Sequence, residues 1–173
     1  MRCSHLLAVV TIALLAWTTT HVLAQAPSTQ VVDIKSAAGV TLKATYFPST
    51  RPGPAIVLLH ACNKDRTSWT PLATDLAAQG FHVLTLDFRG FGESGGTRFS
   101  PGQEQQSTID LYWPGDVEAA LAWLTTQPNV DKERVGAAGA SCGVNQAVQL
   151  ARNHSEVKTV VLLSGGVNAA ARL

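Results

Sequence analysis

The sequence is short of charged residues, of aromatic side chains and of long apolar runs. Charged residues account for 14% and aromatic residues for 6% of the 173 residues. The 13 basic residues nearly balance the 12 acidic ones and no basic patch stands out, so nucleic acid is not expected as a partner. No cluster of histidine, cysteine and carboxylate residues has the spacing of metal ligands. We therefore expect one domain that uses neither a metal nor another cofactor.

The first 24 residues have the pattern of a secretory signal peptide. Arg2 supplies a positive charge, and residues 6–17 form an apolar run that is broken only by Thr11. This run is too short for a membrane-spanning helix, which needs about 20 apolar residues. Ala24 provides a small residue at a cleavage site before Gln25. The pattern predicts a secreted or periplasmic protein that does not contact the membrane after cleavage, and the alternative is an uncleaved membrane anchor.

Apolar runs alternate with helical patterns in the rest of the chain, which is typical of an α/β fold. The strands are predicted at residues 30–35, 41–47, 55–60, 81–86, 135–140 and 159–163. The helices are predicted at residues 69–79, capped by Ser68 and with Leu72, Ala73 and Leu76 on one face, at 114–126 and at 143–153. Residues 87–106 are glycine-rich and polar, and we expect a functional or mobile loop there. The sequence thus predicts a doubly wound, mostly parallel sheet that opens with an antiparallel hairpin.

A serine between two glycines is the most informative local motif. Gly139 and Gly143 flank Ser141 in the pattern G-x-S-x-G, after a predicted strand and before a predicted helix. Such a turn projects the serine hydroxyl as a nucleophile, and the helix that follows aims its N–H groups at a developing oxyanion. A tight structural turn is the alternative interpretation. Cys142 is a weaker candidate nucleophile, because it does not occupy the centre of the motif.

Three motifs together resemble those of a known family. Residues 58–62 (LLHAC) resemble a His-Gly-x oxyanion turn in which Ala61 replaces the usual glycine. Residues 87–94 (DFRGFGES) resemble a D-x-R-G-x-G-x-S turn, and residues 139–143 (GASCG) resemble a nucleophile elbow. In order and position these motifs resemble the α/β-hydrolase family, in particular its dienelactone-hydrolase-like and serine-esterase-like members. The resemblance covers nearly the whole mature chain.

The resemblance implies a catalytic serine and an oxyanion hole. Ser141 would attack the carbonyl carbon of a small ester-type substrate, and the backbone N–H groups of Cys62 and Cys142 would hold the oxyanion. Since both cysteines would flank one oxyanion hole, we hypothesise that they form a disulfide, the alternative being two small buried thiols. His60 would shape the turn rather than act as a base.

The polar residues of the turn at residues 87–94 are expected to have structural rather than chemical roles. Asp87 and Arg89 would stabilise this turn through hydrogen bonds. Glu93 and Ser94 are expected to be solvated loop residues.

The acid and the histidine of a catalytic triad are missing from the expected place. The family order is Ser, acid, His, but only Glu156 and His154 follow Ser141. His154 lies 13 residues on, which is roughly 20 Å along a helix. A general base must lie within about 3 Å, so His154 is excluded. His82 and Glu156 are expected at the opposite end of the sheet.

The sequence therefore predicts residues 25–173 to be an incomplete α/β-hydrolase domain. We expect a sheet truncated after its sixth strand and an N-terminal part of a longer hydrolase. The alternative is a non-catalytic domain that binds a ligand or a partner chain, and a third hypothesis is a second chain that supplies the histidine. An uncovered last strand also predicts self-association.

Overall fold

The structure, a computed structural model, describes residues 28–100 and 106–165. The predicted signal peptide lies outside the described residues. The strands are Gln30–Lys35 (β1), Thr41–Phe47 (β2), Gly53–Leu59 (β3), His82–Leu86 (β4), Val130–Ala140 (β5) and Val157–Leu163 (β6). The helices are Thr70–Ala78 (α1), Gln106–Leu111 (α2), Trp113–Thr125 (α3) and Gly143–Asn153 (α4). In the described part of the chain, no helix is long and apolar enough to cross a membrane.

The strands form one mixed sheet in the order β1-β2-β4-β3-β5-β6. β1 and β2 form an antiparallel hairpin, and β2 is antiparallel to β4. β4, β3, β5 and β6 are parallel to their neighbours. This arrangement confirms the predicted doubly wound sheet with its N-terminal hairpin. It also brings the carboxyl ends of β3 and β5 together, with Leu59 paired to Gly139, at the edge where ligands bind in such sheets.

The central strands β3 and β4 are largely buried on both faces because helices cover both sides of the sheet. Alternate residues of β3 point to opposite faces. Val57 and Leu59 belong to the larger apolar cluster, which includes side chains of α3 and α4. Leu58 belongs to a second cluster with Ala73 of α1. Continuous apolar runs in β3 and β4 are therefore required by the fold.

Local expectations differ from the structure at three places. β5 begins at Val130, because Gly53 pairs with Val130 before the register shifts. The single turn Arg66–Trp69 that precedes α1 is capped by Asp65, which accepts from the Thr67 N–H group, and Ser68 is not the cap. Of the apolar residues predicted on one face of α1, Ala73 is buried, but Leu72 is 42% exposed.

The loop after β4 is folded rather than extended. The Gly90 N–H group donates to the Gly95 carbonyl, and the Phe99 N–H group donates to the Gly90 carbonyl. The Gly95 N–H group donates to the Thr41 carbonyl at the start of β2. The short helix α2 is not predicted by the sequence, because its six residues show little helical periodicity. It begins at Gln106, where the predicted loop ends.

β6 lies at one edge of the sheet within the described residues. The side chains of Val161 and Leu163 are exposed on this strand. Self-association through this edge stays a prediction.

His154 links three elements at the end of α4. Its Nδ1 lies 3.0 Å from the Glu156 carboxylate before β6, and its Nε2 contacts the Glu118 carboxylate of α3. Burial lowers the pKa of His154, but the hydrogen bonds and charges of the two carboxylates outweigh it, so the net pKa is raised above 6.5. The backbone N–H group of Glu156, followed by His154, lowers the pKa of the Glu156 carboxyl below 4.5. A charged cluster is therefore favoured in the folded protein.

Stability should depend on pH through this cluster. Because the pKa of His154 is higher in the folded than in the unfolded protein, its contribution is complete below pH 6.5 and is lost as pH rises through the folded pKa. Solvent screening limits the effect to about 0.5–1 kcal/mol. The free energies of unfolding of the wild type and of His154→Gln, measured in urea, should differ by this amount at pH 5.5 and become equal at high pH. A difference that is equal at both pH values would contradict the prediction.

Candidate active site

Ser141 occupies a sharp turn between β5 and α4. Its φ is +50°, in the left-handed region that non-glycine residues rarely adopt, and the residue is exposed. Its N–H group donates to the Leu163 carbonyl of β6 at 2.8 Å, and its carbonyl accepts from the Val144 N–H group of α4 at 3.1 Å. The neighbouring elements thus hold Ser141 in a strained conformation, which is typical of functional sites.

The two glycines of the motif are needed because backbones approach closely there. A Cβ atom on Gly139 would lie 2.3 Å from the Gly143 carbonyl oxygen. A Cβ atom on Gly143 would lie 2.5 Å from the Leu59 carbonyl oxygen and 2.9 Å from that of His60. The start of α4 therefore packs directly on the end of β3, which places Ser141 beside the loop that follows His60.

Gly143→Ala should destabilise the protein, because the new methyl group meets backbone oxygens that cannot rotate away. We expect a loss of about 1–3 kcal/mol in the free energy of unfolding, as in other overpacked sites. The control is Gly115→Ala in α3, where a Cβ atom meets nothing within 4 Å and alanine favours the helix. Denaturant unfolding of both variants tests this, and a Gly143→Ala variant as stable as the wild type would contradict it.

His60 is buried at the end of β3, where its ring holds two loops together. Its Nε2 accepts from the Phe88 N–H group at 3.1 Å, so we assign the ring proton to Nδ1, which donates to the Ala61 carbonyl at 2.8 Å. Burial lowers the pKa of His60, in spite of the Ala61 hydrogen bond and nearby carboxylates. A neutral ring whose lone pair is already bonded supports the prediction that His60 shapes the turn.

A disulfide joins Cys62, in the loop after β3, to Cys142, the residue that caps α4. The two Cα atoms are 5.7 Å apart, and the residues are separated by 80 positions in the chain. Both residues are half-buried. In the described part of the chain, neither backbone N–H group donates to a protein acceptor. Two unpaired donors therefore lie close to Ser141, one on Cys142, which follows it in the elbow, and one on Cys62, which is bonded to Cys142, as an oxyanion hole requires.

Asp87 connects the loop after β3 to the loop after β4. Its carboxylate accepts from the Arg66 N–H group at 2.7 Å and from the Glu93 N–H group at 2.9 Å, and it forms an ion pair with the Arg66 guanidinium. This guanidinium also contacts the Glu93 carboxylate. Asp87 and Arg66 are buried, so this network anchors the C-terminal end of the loop that carries Cys62 to the protein interior.

Arg89 and Ser94 complete the support of the loop after β4. Arg89 forms a buried bidentate pair with Asp116 of α3, at 2.9 and 2.7 Å. The Ser94 hydroxyl accepts from the Lys43 N–H group at 2.8 Å and donates to the Asp87 carbonyl at 2.7 Å. The prediction that Ser94 is a solvated loop residue is wrong, because the loop folds back onto β2.

The described histidines lie away from Ser141 or are already engaged. His154 lies at the far end of α4, bonded to two carboxylates, and His82 begins β4, where its Nδ1 lies 2.7 Å from the Tyr46 hydroxyl. Glu156 precedes β6, also at the opposite end of the sheet. Within residues 28–100 and 106–165, the Ser141 hydroxyl has no hydrogen-bond partner. No group of three or more metal-binding side chains occurs in the same residues.

Comparison with known proteins gives the chain a family. Residues 38–172 match the family model described as X-Pro dipeptidyl-peptidase (S15 family). An uncharacterized protein of Mycobacterium tuberculosis is 32% identical over 127 residues, which are 72% of this chain and 42% of that protein. A thiohydrolase of Aspergillus aculeatus is 28% identical over 133 residues, which are 75% of this chain and 39% of the thiohydrolase.

A solved structure supports the same assignment. An esterase of Pyrococcus furiosus superposes with a TM-score of 0.66 at 25% identity, covering 80% of this chain and 49% of the esterase. The chain thus spans less than half the length of these relatives. The family match covers most of the chain, and the sheet order and the elbow agree with it. The chain belongs to the X-Pro dipeptidyl-peptidase (S15) family and has the fold of the esterase-like α/β hydrolases.

Proposed function

We propose that this chain carries the nucleophile of a secreted serine hydrolase that cleaves an ester or related acyl bond of a small-molecule substrate. The observation that carries the proposal is the geometry of Ser141. Ser141 is exposed and has a φ of +50°. The two glycines around it cannot be replaced by a larger residue, because the new side chain would collide with backbone atoms. Nothing in the packing of a simple turn requires a serine in this strained conformation.

The surrounding groups fit acyl transfer. The Ser141 Oγ attacks the carbonyl carbon of the substrate, and the carbonyl oxygen becomes an oxyanion. The N–H groups of Cys62 and Cys142 donate to this oxyanion, and each such donor stabilises the transition state by about 3–4 kcal/mol. The N-terminus of α4 adds the positive end of its dipole. Collapse of the intermediate expels the alcohol or thiol, and water then releases the acyl group from Ser141.

The general base and its acid partner come, in this proposal, from outside residues 28–165. His60 is neutral and bonded at both ring nitrogens, and His154 and His82 lie at the far end of the sheet. The relatives are about twice as long as this chain, which leaves room for both groups.

Acyl esters and thioesters are the substrates that we propose. Two of the similar proteins are named a thiohydrolase and an esterase. Both names describe acyl chemistry of the kind that the elbow performs, whereas the fold alone does not select a substrate. Secretion is supported by the signal-peptide pattern and by the disulfide, because disulfides persist in oxidising compartments.

The test is an assay of the protein as its own gene produces it. Intact mass should first establish whether the polypeptide exceeds the 18.3 kDa of these 173 residues. Hydrolysis of p-nitrophenyl acetate, an acyl thioester and an X-Pro p-nitroanilide should then be compared. We expect turnover of the ester and the thioester. A folded protein that binds an acyl ligand but hydrolyses none of the three would instead support the non-catalytic alternative.

A further inference from the structure

The disulfide is the covalent link between the two halves of the proposed oxyanion hole. One donor, the Cys62 N–H group, lies in the loop 61–65, and the other, the Cys142 N–H group, lies at the start of α4. Among the described residues, no hydrogen bond joins the loop 61–65 to residues 141–143. The parallel pairing of β3 with β5 ends before both segments, at Leu59 and Gly139. Gly143 packs against the backbone of Leu59 and His60, and beyond that contact the bond between the two sulfur atoms is what ties the Cys62 donor to the Cys142 donor.

The two cysteines that form this bond are not fully buried. Cys62 and Cys142 are both half-buried, and the neighbouring Asn63, Lys64 and Ser141 are exposed. Thiol–disulfide exchange requires that a thiolate reach one of the two sulfur atoms, so partial exposure permits it. A buried structural disulfide would not have this property.

The loop 61–65 is otherwise attached mainly at its two ends. At its start, the Ala61 carbonyl accepts from His60 and from the Lys64 N–H group. At its end, Arg66 is held by Asp87. Cys62 lies between these attachments, so breaking the disulfide frees its N–H group without removing the anchors of the loop.

We propose, on the basis of the function proposed above, that the Cys62–Cys142 disulfide is a redox-controlled positioning element of the oxyanion hole. A small dithiol supplies two electrons: one thiolate attacks a sulfur atom of the bridge, and the second thiol displaces it from the mixed disulfide. The bond between Cys62 and Cys142 breaks, both sulfur atoms end as thiols with a proton each, and the dithiol becomes a cyclic disulfide. The oxyanion then keeps the Cys142 donor but loses the positioned Cys62 donor.

Reduction should therefore lower kcat more than it changes KM, because the oxyanion exists in the transition state and not in the bound ester. Complete loss of one oxyanion donor costs about 10²–10³ in kcat. Since the freed loop still visits the productive position, we expect a loss of about 10- to 100-fold. Reoxidation should restore the original kcat.

The experiment uses the protein from its native gene, treated with dithiothreitol and then desalted without air. Thiol titration of the denatured protein should show two additional thiols after reduction. We would measure kcat and KM for p-nitrophenyl acetate before reduction, after reduction and after reoxidation. The variant Cys62→Ser/Cys142→Ser should have the low kcat and should not respond to the dithiol. The variant Cys62→Ala/Cys142→Ala replaces it if the serine pair does not fold.

Circular dichroism of each sample shows whether a loss of kcat comes from a change in the oxyanion hole or from loss of the native fold. A kcat that is unchanged after two thiols appear would overturn this inference and leave the proposed function intact. Two free thiols in the unreduced protein would also overturn this inference and leave the proposed function intact. So would a loss of turnover that occurs only together with a loss of the native circular dichroism spectrum. Absence of turnover in the oxidised protein would overturn the proposed function together with this inference.

Discussion

Replacing Ser141 with alanine is expected to lower kcat for ester hydrolysis by roughly 10⁴-fold or more, as for other hydrolases that lose their nucleophile. The serine hydroxyl is the group that forms the covalent acyl intermediate, and no other described hydroxyl occupies the elbow between β5 and α4. The substitution removes one oxygen from an exposed side chain, so the fold should persist. Steady-state hydrolysis of p-nitrophenyl acetate measures the change.

The matched control is Ser155→Ala, another exposed serine, which lies between α4 and β6 at the other end of the sheet. Its turnover should equal that of the wild type. If Ser141→Ala kept wild-type turnover, another nucleophile would have to act in its place. Cys142 is adjacent to it, but its sulfur atom is bonded to Cys62 and cannot serve as that nucleophile. The serine mechanism would then have to be abandoned.

Asp87→Ala is expected to lower the free energy of unfolding by about 3–5 kcal/mol, the usual effect of removing one partner from a buried ion pair. The Asp87 side chain is fully buried, and its loss leaves the buried Arg66 guanidinium with the exposed Glu93 carboxylate as its remaining ion-pair partner and with the Thr45 hydroxyl as a neutral acceptor. The Arg66 and Glu93 N–H groups lose their acceptor as well. Equilibrium unfolding in urea, monitored by tryptophan fluorescence, measures the difference.

Asp33→Ala is the control for this effect. Asp33 pairs with Lys43 at 2.5 Å, but the Asp33 side chain is 55% exposed and that of Lys43 is 32% exposed. An exposed pair contributes about 0–1 kcal/mol, so this variant should be nearly as stable as the wild type. Equal losses for Asp33→Ala and Asp87→Ala would show that burial of the Asp87 network does not decide its contribution.

Much of the fold could be predicted because the decisive patterns are local. Residues 55–59 are continuously apolar, and this indicates a strand covered on both faces, as β3 is. The buried stripe of α3, at Val117, Ala120, Leu121 and Leu124, follows the helical period. The elbow could also be located, because its two glycines and its position between a strand and a helix are visible in the sequence.

Other features could not be predicted because they depend on partners distant in the chain. Ser94 is buried because the loop that carries it lies against Lys43 of β2. β5 is extended to Val130 only because Gly53 pairs with it. The signal in each case is a contact between segments that the sequence separates by dozens of residues, and composition or periodicity does not report such contacts.

The sequence by itself determined the order of the strands, the place of Ser141 in a G-x-S-x-G turn and the resemblance to the α/β hydrolases, because hydrophobic period, glycine spacing and short motifs are properties of short segments. Only the tertiary structure decided the left-handed backbone of Ser141, the bonding of both nitrogens of His60 and the approach of Cys62 to Cys142. These depend on the parallel pairing of β3 with β5, which brings residues 80 positions apart to one edge of the sheet.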